Sequence, residues 1–104
     1  MEFKELLEFI EKENKRIKNL YSIDGEKMTL AQTVKLSEEV GELSSEVLAH
    51  NSLQRSKKLE NHDKGNIQGE FADVIFTTLI LAKTMDVDIE KALKDKIEKI
   101  DKRY

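Results

Sequence analysis

Two groups of carboxylates stand out by spacing. Glu38-Glu39-Val40-Gly41-Glu42 places Glu39 and Glu42 three residues apart, and Glu46 continues their row. Glu70-Phe71-Ala72-Asp73 repeats the three-residue spacing. On a helix, such pairs are neighbours on one face, where like charges repel and weaken the helix slightly. By angle, Glu39 lies about 40° from Leu43, at the edge of the apolar stripe, so these acids border the interior. Asp73 sits between Ala72 and Val74 in the most apolar stretch of the chain. Burying an unpaired carboxylate costs several kcal/mol or raises its pKa until it protonates. Two such pairs on packed helices need cations between them. Oxygen-only ligands select a hard divalent ion, Mg²⁺ first and Mn²⁺ as a substitute. A lone Glu-x-x-Asp is common on charged helices; both pairs together carry the reading. A di-iron bundle would need Glu-x-x-His, and neither His50 nor His62 completes that spacing.

The elements that must position these acids are helical. The chain has no proline and four glycines, so breakers are few. Phe3, Leu6, Leu7, Ile10, Ile17 and Leu20 predict an amphipathic helix over about 2–20. Residues 21–27 read as a connector. Thr29-Leu30-Ala31-Gln32 has the capping-box pattern, predicting a second helix over 29–50 with Leu36, Val40, Leu43 and Val47 as its stripe. Gly41 costs that helix roughly 1 kcal/mol relative to alanine, which predicts close approach of another helix. Residues 51–67 read as a polar loop. The third helix, about 68–85, is apolar nearly all the way round and is expected to be buried on most sides. Asp86 is expected to end it and Asp88 to cap the last helix, 89–104, which carries Ile89, Leu93, Ile97 and Ile100. The expected fold is all-α, a four-helix bundle-like single domain over 1–104.

Composition bounds the function. Apolar and charged residues each make up 38% of 104, a thin core that a second subunit or a metal would complete. A homodimer or homotetramer is therefore expected. The absence of cysteine excludes a disulfide scaffold, a thiolate metal site and a cysteine nucleophile, and it suits a cytoplasmic location. Acids outnumber bases 21 to 18, which gives no general attraction to nucleic acid. No apolar run approaches the roughly 20 residues of a membrane span. The first residues, Met1 to Glu5, lack the order of a signal peptide.

The motif pair, within Lys35-Leu36-Ser37-Glu38-Glu39-Val40-Gly41-Glu42-Leu43 and again at Asp73-Val74-Ile75-Phe76, resembles the MazG family of all-α nucleoside triphosphate pyrophosphohydrolases. Asp88-Ile89-Glu90-Lys91-Ala92-Leu93 and the ending Arg103-Tyr104 extend the likeness, which covers about 30–104. The resemblance implies cleavage of a nucleoside triphosphate between its α and β phosphates, giving a monophosphate and pyrophosphate. Glu39, Glu42, Glu70 and Asp73 would hold Mg²⁺, and Glu38 would bind a further ion or act as base for the attacking water. The substrate is itself an anion, so bases must help. Lys96, Lys99 and Arg103 form a row of the same geometry as Glu39, Glu42 and Glu46 and are candidates for phosphate contact, although a basic last turn also suits the helix dipole. Lys35 is a further phosphate candidate, and Arg55, Lys57 and Lys58 are candidates in the loop. For the base, the aromatic candidates are Phe3, Phe9, Tyr21, Phe71, Phe76 and Tyr104. Two other readings are a phosphoribosyl-ATP pyrophosphohydrolase, which shares the acid pattern, and a non-catalytic helical interaction protein.

Overall fold

The computed structural model describes residues 1–23, 25–51 and 64–104, with 64–66 as backbone alone. They form four helices and, among the described residues, no strand. α1 spans Phe3–Tyr21, α2 Gly25–His50, α3 Lys64–Thr84 and α4 Ile89–Arg103. The loop predicted over 51–67 is therefore helical in its last turn. Its basic residues Arg55, Lys57 and Lys58, and His62, lie outside the described residues.

α1 forms where predicted, with Ile10 of its stripe and Asn14 as the buried positions, while Phe3 and Leu20 at the two ends of the stripe are exposed. Ser22 stops it in the left-handed conformation (φ 50°), with its N–H donating to the Lys18 carbonyl. α2 begins a turn earlier than the capping-box pattern predicts. Thr29 does not cap: its hydroxyl donates 2.8 Å back to the Gly25 carbonyl, inside the helix. A mid-helix threonine commonly spends its hydroxyl on the carbonyl four residues back, and so is not available to a cap. Met28, 2% exposed, anchors the extra turn in the core.

α2 and α3 pack as an antiparallel pair, and α1 lies against α3. Phe9 of α1 meets Phe76 of α3 edge to face, with centroids 5.8 Å apart. Asn14 Nδ2 donates 2.7 Å to Thr84 Oγ1, fastening α1 to the end of α3. That end is closed by Asp86 at φ 55°, as the sequence predicts. The Asp86 N–H donates to the Lys83 carbonyl and the Val87 N–H to the Ala82 carbonyl, a Schellman-type stop. Asp88 then caps α4 by accepting from the Lys91 N–H at 3.1 Å.

Among the described residues, two packing expectations are not met. α3 is covered on one side only: Leu79 and Ala82 are buried, whereas Phe71 and Ile75 are half exposed. α4 lies lengthwise on no other helix, and Leu93, Ile97 and Ile100 are exposed. The radius of gyration is 16.7 Å, against about 13 Å for a compact domain of this length. Gly41 is likewise approached by no other element among the described residues, since a Cβ there would meet no such atom within 4 Å. Three helices supply the packing, and the fourth extends from them. Among the described residues no helix is long and apolar enough to cross a membrane.

Candidate metal centre

The antiparallel α2–α3 pair sets Glu39 opposite Glu70 and Asp73. One carboxylate oxygen from each of the three lies within 4.8 Å of the others. Glu39 is the buried member at 5% exposure, Glu70 is half-buried and Asp73 is at the open rim. The sequence points to Asp73 as the acid drawn inward. The structure instead buries Glu39, because α3 turns the 71–75 face outward while α2 lays its 28–32–39 row against α3.

Glu39 and Glu70 each keep one buried oxygen without a hydrogen-bond donor. Glu39 Oε1 accepts from Lys35 Nζ at 2.9 Å, one turn earlier on α2. Glu39 Oε2 and Glu70 Oε2 are buried and accept no hydrogen bond. Burial pushes the Glu70 carboxyl above the usual range, and the charges of Glu42, Asp73, Glu39 and Glu46 push it further. Lys35 is held above its ordinary value, first by the hydrogen bond and charge of Glu39 and then by Glu38 and Glu42. Converging all-oxygen donors, two of them buried and unsatisfied, fit a hard divalent cation.

Of the four predicted ligands, Glu39, Glu70 and Asp73 converge. Glu42 is exposed and near enough to act on Glu70 through its charge, but is not one of the three. Glu38 is exposed beside Lys35. Lys96, Lys99 and Arg103 are exposed on α4 and form no ion pair among the described residues. Of the aromatic candidates, Phe9 and Phe76 face each other, and Tyr104 is fully exposed.

Sequence reasoning missed Gln32. It is 7% exposed, and both polar atoms of its side chain are buried without a partner. Its amide does not reach back to a helix start, as the capping-box reading has it. The available signal was its place four residues from both Met28 and Leu36, on the apolar row.

An all-α chain whose helical pair brings together acids from Glu-Glu-x-x-Glu and Glu-x-x-Asp can hold a divalent metal between two helices. The model of the MazG nucleotide pyrophosphohydrolase domain matches residues 26–104. The chain belongs to that family. It is also 38% identical over 63 residues to the uncharacterized protein YpjD of Bacillus subtilis (strain 168). That match covers 61% of this chain and 55% of YpjD. No solved structure matches the chain significantly.

Proposed function

We propose that this chain is a Mg²⁺-dependent nucleoside triphosphate pyrophosphohydrolase that keeps the nucleotide pool clean, with Mn²⁺ as a substitute ion. The observation that carries the reading is the convergence of Glu39, Glu70 and Asp73 across two helices, with two buried oxygens unsatisfied. Family membership supplies the reaction class.

In this reading Glu39, Glu70 and Asp73 hold the ion, and Glu42 joins them by a rotamer change on the same helix face. When bound, Mg²⁺ neutralises phosphate charge and favours hydroxide over water at neutral pH. The other steps belong to the chain. Glu70, whose carboxyl is pushed above the usual range by burial and then by the neighbouring acids, binds the ion as its carboxylate, and the ion supplies the counter-charge it lacks. Lys35 keeps its charge beside Glu39 and stands at the edge of the cluster, placed to meet a phosphate oxygen. Glu38, exposed on the next position of α2, takes the proton of the attacking water. The water adds to the α phosphorus, the bond from that phosphorus to the α–β bridging oxygen breaks, and pyrophosphate leaves.

Lys96, Lys99 and Arg103 contact the phosphates once α4 is held in place by a second copy of the chain. The exposed apolar residues Phe71, Ile75, Leu93 and Ile97 are the reason to expect that copy, as a homodimer or homotetramer. Residues 1–104 act as one domain, with α1 packed on the segment that the family match covers.

The test is pyrophosphate release from a panel of common and modified ribo- and deoxyribonucleoside triphosphates with Mg²⁺ or Mn²⁺. Pyrophosphate and the matching monophosphate are expected in equal amounts. Orthophosphate as the product, or no product from any nucleotide, overturns the reading.

A further inference from the structure

A pocket of about 380 Å³ lies one to two turns from the acid cluster, along the same α2–α3 seam. Ile17 and Tyr21 of α1, Gln32 and Lys35 of α2, and Thr77 and Ile80 of α3 contribute to its lining. Its walls are mostly apolar, and its volume falls within the range of small-molecule sites.

Two rows connect it to the acids. On α2, Gln32, Lys35 and Glu39 follow one another at helical spacing, and Lys35 lines the pocket while its ammonium holds Glu39. On α3, Asp73, Thr77 and Ile80 do the same, with the Thr77 hydroxyl donating to the Asp73 carbonyl at 2.6 Å. Gln32 stands seven residues from Glu39, about 10 Å along the helix axis. A nucleotide with its phosphates at the acids would bring its base into this pocket.

Gln32 stands in the wall of this pocket with its amide enclosed. Its side-chain Nε2 and Oε1 are both buried and both without a partner. Buried polar groups are nearly always satisfied, so each exception needs an explanation. A carboxamide offers a donor beside an acceptor, which complements the edge of a nucleobase. Tyr21, 63% exposed at the mouth, offers a ring face.

We infer that this pocket receives the nucleobase of the substrate and that Gln32 is the residue that selects it, by a paired hydrogen bond to the base edge. The inference rests on the proposed hydrolase reading for the placement of the phosphates. It extends that reading to residues of α1, which lie before the matched segment.

The experiment compares the wild type with Gln32→Met, which keeps the volume and removes both polar atoms. The readouts are kcat and KM for the best nucleoside triphosphate and for ribose 5-triphosphate, which has no base. The wild type is expected to favour the base-bearing substrate. The variant narrows that preference by about 10–100-fold through KM, the scale of losing a paired contact to a base. Its Tm does not fall, because two unsatisfied atoms have gone. If Gln32→Met does not fold, Gln32→Glu keeps the shape, replaces the donor by a charge and serves in its place. An unaltered preference in the variant overturns the inference. If the wild type cleaves no nucleotide, the hydrolase reading fails, and a titration of ¹⁵N-labelled protein with nucleosides decides the pocket. Shifts in the Gln32 side-chain amide, identified by its loss in Gln32→Met, uphold it, and no shift with any nucleoside overturns it.

Discussion

Lys35 Nζ sits 2.9 Å from Glu39 Oε1, so an ammonium that is itself exposed neutralises one oxygen of a carboxylate that is 5% exposed. The pair leaves Glu39 Oε2 buried without a hydrogen-bond donor, on a carboxylate that converges with Glu70 and Asp73. The metal-free protein is therefore held partly by Lys35 and partly frustrated by its own acids. Lys35→Met removes the counter-charge and should lower the Tm measured in EDTA. Mg²⁺ should recover most of that loss. A variant with unaltered Tm in EDTA would show that Glu39 does not depend on Lys35.

Mg²⁺ binding to the folded state alone shifts stability by mass action. At one hundred times its dissociation constant the gain should be about 2.7 kcal/mol, read as a rise in Tm that saturates with concentration. Asp73→Asn should abolish the rise and reduce pyrophosphate release by at least about 100-fold, the upper end of the cost of disturbing a metal's surroundings. Helicity by circular dichroism should be retained, because Asp73 is on the exposed rim.

Glu70 sets the pH dependence. Its folded pKa is raised, by burial first and by neighbouring acids next, so folding favours the protonated form. The stability this gives is fully present below the unfolded carboxyl value. It is lost as pH rises through the higher folded value. Metal-free protein should thus lose this contribution as pH rises above the ordinary carboxyl range. Glu70→Gln should be more stable than the wild type in EDTA at pH 7 and show no added stability with Mg²⁺. Metal affinity runs the opposite way, falling as Glu70 takes up its proton. Melting curves in EDTA and in Mg²⁺ across this range test both signs.

Asn14 is 3% exposed and donates a long-range side-chain hydrogen bond to Thr84. Asn14→Ala leaves the Thr84 hydroxyl without this partner and opens a small void, at a cost of about 1–3 kcal/mol in urea unfolding. The effect on KM should be larger than on kcat if α1 also walls the base pocket through Ile17 and Tyr21.

Gly41 faces open space among the described residues. Gly41→Ala should gain about 1 kcal/mol of helix stability in a monomer. In sedimentation, Ile75→Asp should shift any oligomer to the monomer, because Ile75 is 53% exposed on an apolar face. If Gly41→Ala also dissociates the oligomer, the close helix approach that the sequence predicts occurs between copies and not within one.

Much of the fold was legible because helical periodicity is a one-dimensional signal. Ile10 with Ile17, Asp86 as a stop and Asp88 as a cap each follow from residue type and spacing, and each is found. The start of α2 was not. A threonine and a glutamine three apart look alike at a cap and inside a helix, and only packing distinguishes them. Met28 and Gln32 have core to bury against, so the helix runs back to Gly25.

The site divides the same way. The sequence by itself determined that Glu39, Glu42, Glu70 and Asp73 stand in two pairs on helix faces, because spacing fixes the angle about each axis. It does not fix which side of an axis meets a neighbour. The tertiary structure decided that Glu39 is the buried acid and Asp73 the rim. It also decided that Glu42 stands aside and that Gln32 is enclosed without a partner. Burial and hydrogen-bond satisfaction are properties of two surfaces in contact, and a single helix carries only one of them.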